Sequence, residues 1–190
     1  VTGSMTELNE IELHGSKNVQ IIPSSFELKK SLKDTSQSKK EMQIIHLGGI
    51  STTANRLGLE RYFELVDPQL RLARKNDSNL IKLIIIGDMT LASEQMKANL
   101  NQDDVHCLGY VRDLHSVINP YDIAIIPYEK NTGTRTKISA YFAHKLVVVA
   151  VKNSVLGFPN LIDRKNIILI DNLDEMASVI TSLSKNFKER

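Results

Sequence analysis

The sequence predicts a doubly wound α/β fold, a parallel sheet with helices packed on both faces. Three observations carry that reading. Short runs rich in Ile, Leu and Val recur between residues 43 and 170, and four of them close on glycine or proline. Segments whose apolar residues are spaced for helices lie between them. The runs are apolar at consecutive rather than alternate positions, as strands buried on both faces require.

Taken in order, residues 43–47 (QIIHL) form the first strand and end in Gly48-Gly49. Residues 56–75 place Leu57, Leu59, Phe63, Leu65, Val66, Leu70 and Leu72 at helical spacing, with a kink expected near Pro68. Residues 80–86 (LIKLIII) are the second strand, closed by Gly87-Asp88, and residues 91–100 the next helix. A short strand at 105–108 ends at Gly109, and a short helix at 112–119 ends before Pro120. Residues 123–126 (IAII) make a strand closed by Pro127, 135–144 a helix, 146–151 (LVVVAV) a strand and 166–170 (NIILI) the last strand. Residues 173–187 form a closing amphipathic helix, with Asn172 or Asp171 as N-cap and Leu173, Met176, Val179, Ile180 and Leu183 facing the core.

The 190 residues suit one domain, here 42–190. Residues 1–5 (VTGSM) read as an expression-tag remnant, so that the rest would be an excised domain. Residues 6–41 read as a lead-in segment and linker, with a short extended run at 18–23 and a Lys- and Ser-rich stretch at 29–40. Hydrophobic residues make up 42% and charged residues 24%, which excludes a disordered chain. A net charge of +2 gives no support to a nucleic-acid partner. The single cysteine, Cys107, excludes an internal disulfide and a multi-cysteine zinc site and fits a reducing compartment. No apolar run nears the roughly 20 residues that span a bilayer, and no signal peptide is expected.

In this fold class ligands bind beyond the carboxyl ends of the strands, so the loops there are the candidate sites. The first is 48–56: Gly48 and Gly49 permit close backbone approach, its hydroxyls and the following helix N-terminus suit an anion, and Arg56 adds charge. It matches neither G-x-G-x-x-G nor a P-loop, and it also reads as a plain glycine turn with a capping hydroxyl. The second is 129–137 (EKNTGTRTK). Gly133 permits an unusual backbone angle, Thr132 or Thr134 can cap a helix, and Arg135 and Lys137 fall in its first turn. Cations there oppose the helix dipole unless an anion is bound, which suits a diphosphate; the bland alternative is two solvated basic residues. The third is Gly109–Tyr110–Val111, where Tyr110 can stack on a base or pack at the core edge. Cys107 reads as an inert packing residue, His46 as a core histidine close to a strand end, and the five histidines show no metal-ligand spacing.

The order of these pieces, Ile44–Gly49, Leu83–Gly87, Leu108–Val111, Asp122–Pro127 and Gly133–Ile138, resembles the C-terminal domain of GT-B glycosyltransferases of the GT4-like, retaining group, over about residues 18–187. The resemblance implies a Rossmann-like domain forming one half of a GT-B fold, which binds a UDP- or GDP-sugar without metal or other cofactor. A separate N-terminal domain would bind a saccharide or lipid-linked acceptor. It implies a hexosyltransferase-like enzyme of bacterial polysaccharide biosynthesis, cytoplasmic or peripheral at the inner face of the membrane, and an isolated domain that is inactive. By resemblance Gly48, Gly49, Arg56, Gly133, Thr134, Arg135 and Lys137 would hold the donor diphosphate, and Tyr110, Val111, Glu129, Asn131 and Thr132 the base or sugar. The chain departs from the pattern at the two glutamates spaced eight apart, where Thr132 and Ala140 stand, at G-x-P, where Lys145-Leu146-Val147 stands, and at the arginine now replaced by Gly49. Those departures keep open an alternative, a non-catalytic glycosyltransferase-like interaction domain.

Overall fold

The structure, a computed structural model, describes residues 42–74, 82–130, 136–158 and 160–186. The tag, lead-in and linker assigned to 1–41 lie outside the described residues. Six parallel strands, β1 (Gln43–Leu47), β2 (Lys82–Ile86), β3 (Val105–Cys107), β4 (Ile123–Ile126), β5 (Val147–Val151) and β6 (Ile168–Ile170), form one sheet in the order β3-β2-β1-β4-β5-β6. The order reverses direction between β1 and β4, which pair through Ile44 with Ile123 and Ile45 with Ala124. That is the topological switch point, where the two flanking connections leave to opposite sides and open a crevice at the carboxyl ends.

Both faces of the sheet are buried, as consecutive apolar residues demand. Ile44, Leu83, Ile85, Ile123 and Ile125 face one core layer with Leu59, Tyr62, Phe63, Val66 and Leu70. Ile45, Ile84, Ala124 and Ile126 face the other with Ile138, Tyr141 and Val148. The first layer is covered by α1 (Thr53–Arg61), α2 (Asp67–Arg74), α3 (Glu94–Leu100) and α5 (Met176–Lys185), and the second by α4 (Thr136–Ala143). On α5, Met176, Ile180 and Leu183 are buried beside Leu173, as the expected stripe requires. The Glu175 carboxylate accepts the backbone N–H of Asn172 at 3.0 Å, which supports Asn172 as the cap.

The expected kink before Pro68 is a π-helical turn, Tyr62–Val66, joining α1 to α2. Proline has no N–H for the turn below it and its ring crowds that turn, so the helix widens and Asp67 N–H bonds Tyr62 O instead. Of the apolar residues at helical spacing, Leu57 and Leu72 are exposed. Three other expectations are corrected. Residues 112–119 form only a 3-10 turn, Leu114–Ser116, because Asp113 caps it at His115 N–H (3.1 Å) and Pro120 follows too soon for an α-helix. The helix expected from 91 starts at Glu94, where the Ser93 side chain caps Met96 N–H at 3.2 Å. Cys107, expected to pack, is the exposed last residue of an edge strand.

Three non-glycine residues among those described have positive φ: Tyr121 (70°), Lys145 (57°) and Arg164 (58°). Lys145 is the left-handed residue of a Schellman ending to α4. Its N–H bonds Phe142 O and that of Leu146 bonds Tyr141 O, each at 3.0 Å. Arg164 lies inside a turn in which Lys165 N–H bonds Ile162 O at 3.2 Å. A side chain at such angles costs about 1 kcal/mol over glycine. Lys145→Gly and Arg164→Gly should therefore each stabilise the fold by about 0.5–1 kcal/mol, a rise in Tm of about 2 °C or more. Thermal unfolding checks this, and a fall in Tm for both would show that the strain assignment is wrong.

Candidate functional site

At the carboxyl end of the β1/β4 switch point four side chains come together that sequence distance keeps far apart. Asn55 comes from the first turns of α1, Tyr128 from the loop after β4, Lys137 from the start of α4 and His46 from the carboxyl-terminal part of β1. Asn55 Nδ2 donates to Gly49 O at 2.7 Å, which locks the amide and turns Oδ1 toward Tyr128 and Lys137. Oδ1 then accepts the Tyr128 hydroxyl at 2.6 Å and the Lys137 ammonium at 2.7 Å. Lys137 also donates to the Tyr128 hydroxyl oxygen, and its ammonium lies 4.8 Å from the centre of that ring. Because the single Tyr128 proton goes to Asn55, His46 Nε2, 3.2 Å from the same oxygen, carries the ring proton and donates it. His46 Nδ1 is buried without a partner. Burial, and after it the charge on Lys137, holds His46 well below the ordinary histidine pKa, so it is neutral.

Glycine makes this assembly possible. Gly48 has φ 123°, and a Cβ there would lie 3.0 Å from Lys137 Nζ and would also strike the Asn55 amide. A Cβ on Gly49 would meet the Asp88 backbone nitrogen and oxygen at 2.8 Å, so Gly49 serves the packing of the 48–50 loop against the 87–89 loop. Gly58, mid-helix in α1, occupies the place where a methyl would collide with the Tyr128 ring.

The expected site residues separate accordingly. Gly48, Gly49 and Lys137 come together at the crevice. Arg56, beside Asn55 on α1, is exposed and joins no part of this network, because consecutive helical residues point about 100° apart. Glu129 is held by Arg61 at 3.0 Å, and both line a groove of 320 Å³ that runs along α1 past Ala54 and Leu57. Tyr110 is 89% exposed, against the core-edge alternative, and Val111 packs on the second core layer. Both follow β3, two strands from β1 and outside the Asn55–Lys137 network. Asn131, Thr132, Gly133, Thr134 and Arg135 lie outside the described residues. Sequence reasoning missed Asn55, Tyr128 and Gly58. The one available signal was Gly58 itself, a glycine inside a helical pattern. Ala140, at the expected second glutamate position, is buried in α4. Among the described residues no helix is long and apolar enough to cross a membrane.

The sequence model of the family "Glycosyl transferases group 1" matches residues 41–186. Solved structures share the fold. One is the C-terminal domain of the group 1 glycosyl transferase LpcC from Francisella tularensis (16% identity, TM-score 0.54, 78% of this chain and 77% of that one). Another is TarM (19%, 0.71, 97% and 36%). A third is Alr3699/HepE from Anabaena, in complex with UDP and glucose (14%, 0.73, 99% and 54%). The chain thus spans about a third of TarM and about half of HepE. No curated protein matches it by sequence.

Two outcomes follow from the geometry. Gly→Ala in a helix ordinarily stabilises by about 1 kcal/mol, but Gly58→Ala should destabilise by about 1–3 kcal/mol, because the methyl meets the Tyr128 ring; denaturant unfolding reads the sign. His46 is neutral when folded and its pKa is depressed, so below the ordinary value of 6.5 the unfolded chain binds a proton that the native state refuses. Stability should then fall as pH drops through and below 6.5, by up to about 1.4 kcal/mol per pH unit, and His46→Gln should flatten that slope. Equal slopes for parent and variant between pH 7.5 and 5 would remove His46 as the cause.

Proposed function

Because the chain belongs to the group 1 glycosyl transferases, we propose that it is the donor-binding half of a retaining GT-B enzyme, which holds the diphosphate of a UDP- or GDP-sugar in the β1/β4 crevice. The observation that carries this reading is Lys137. Its ammonium lies at the carboxyl end of β1, hydrogen-bonded to the oxygens of Asn55 and Tyr128 beside the backbone of Gly48. A partly buried cation at the switch point of a Rossmann-like sheet stands where anionic ligands of this fold class bind.

In the proposed reaction the bond from the sugar's anomeric carbon to the phosphate oxygen breaks and a bond from that carbon to an acceptor hydroxyl oxygen forms. The hydroxyl proton leaves with the nucleoside diphosphate, and negative charge grows on that leaving group. Lys137 stabilises that charge, joined by the backbone of the 48–50 loop and, by the sequence reading, by Arg135 with Gly133 and Thr134. His46 stays neutral and orients Tyr128 without adding a second charge. The substituents placed by resemblance on Tyr110, Val111, Glu129, Asn131 and Thr132 would meet the base and sugar. Glu129 would do so from the groove along α1, after exchanging or sharing its partner Arg61. This chemistry needs no metal, since side-chain cations neutralise the leaving group. An N-terminal domain of the whole protein would bring a saccharide or lipid-linked acceptor on the cytoplasmic side. That HepE was solved with UDP and glucose supports a nucleotide-sugar ligand for this fold.

A second reading is favoured by one observation: Ala140 is packed into the core, so α4 brings no carboxylate to the ribose, as an interaction domain that had lost its donor site would show. Calorimetric titration of the full-length protein with UDP, GDP and ADP decides between them. The donor reading expects saturable binding of one base series, weakened in Lys137→Ala by about 1–3 kcal/mol, the scale of a charge-assisted hydrogen bond. Equal affinity in parent and variant would reject Lys137 as the diphosphate ligand. Absence of binding by the intact protein would favour the interaction domain.

A further inference from the structure

At the opposite pole of the sheet, by the amino ends of β4, β5 and β6, lies a cavity of 580 Å³. Its size suits a small-molecule ligand. Among the described residues three cations line it, Lys145, Arg164 and Lys165, and no carboxylate does, in a chain whose basic and acidic residues as a whole nearly balance at 24 and 22. Tyr121 and Phe142 flank it, each partly exposed, and Leu183 adds an apolar wall.

The three described non-glycine residues with positive φ, Tyr121, Lys145 and Arg164, all line this one cavity. Two are tied together, the Tyr121 N–H bonding Lys145 O at 3.0 Å. At a Schellman ending and within a tight turn glycine is the relaxed choice, yet the chain carries a lysine and an arginine there. Strain concentrated around a single cavity points to selection of the side chains for what they bind. The loop that presents them is fixed independently: the Asn166 side chain accepts Ile162 N–H at 2.8 Å and donates to Asn160 O at 2.9 Å. The neighbouring carboxylate of Asp163 accepts Leu169 N–H at 2.8 Å and stands 3.9 Å from Arg164, whose side chain is 64% exposed.

We propose that this cavity is a second anion site, which takes a phosphate-bearing ligand whose apolar or aromatic part lies against Tyr121 and Phe142. The guanidinium of Arg164 offers paired donors to phosphate oxygens, and the two lysines add charge. The site is separate from the β1/β4 crevice and does not depend on what that crevice binds.

The test uses the full 190-residue chain carrying Lys137→Ala, so that the crevice lysine contributes nothing. Inorganic pyrophosphate is titrated by NMR, and vesicles of phosphatidylglycerol and phosphatidylcholine are tested by co-sedimentation. Saturable pyrophosphate binding is expected, with amide shifts at Tyr121, Lys145 and Lys165, and at least fivefold weakening by Lys145→Gly and by Arg164→Gly without loss in Tm. Vesicle binding lost in the same two variants would assign a lipid headgroup as the source; pyrophosphate binding alone would assign a free phosphate ligand. Affinity unchanged in both glycine variants, or no saturable binding of either probe, would overturn the proposal.

Discussion

An ammonium group brought close to the seam of a parallel sheet must find oxygen partners, and the carboxyl end of this domain is arranged around that requirement. Asn55 supplies one such partner because Gly49 O fixes its amide, and Tyr128 supplies another because Gly58 lets the ring lie against α1. His46 completes the arrangement from below, and it does so as a neutral ring. If Gly48 carried a side chain, the ammonium and the amide could not share their present positions. The location follows from strand order. Only between β1 and β4 do the connections diverge, so only there can a loop after one strand and a helix after another converge on a gap.

The two poles of the sheet use backbone conformation in opposite ways. At the carboxyl pole, positive φ falls on Gly48, Gly87 and Gly109, where no side chain resists it. At the amino pole it falls on Tyr121, Lys145 and Arg164, where side chains do. The first arrangement lets loops pack closely and keeps the crevice free of bulk. The second keeps cationic and aromatic groups in place against a local energetic preference, which is the kind of inconsistency between local and global choice that marks functional positions.

The departures from the family pattern acquire physical content in the fold. Lys145 stands where G-x-P begins, and it takes up the left-handed angle that glycine would adopt without strain. Gly49 stands where an arginine is common, and the Asp88 backbone fills the space a side chain would need. Ala140 removes a carboxylate and adds to the core beneath α4. Each change is therefore tied to packing or backbone geometry at its own position.

The sequence by itself determined the fold class, the six strands and the loops that close them. These depend on local composition: consecutive β-branched residues, breakers after the strands and helical spacing between them. Gly48, Gly49 and Lys137 could be named as candidates because a glycine pair after a strand and a cation in a helix's first turn are local signals too. The tertiary structure alone decided that Asn55 and Tyr128 meet Lys137, with His46 bonded to Tyr128. Those contacts span between 9 and 82 residues of chain, and most depend on β1 pairing with β4 across an intervening ββ unit. Nor did the sequence reveal that Arg56 stands apart or that 112–119 is only one short turn. The first depends on the rotation of α1 over the sheet and the second on the room left between a cap and a proline, and a periodicity reading contains neither.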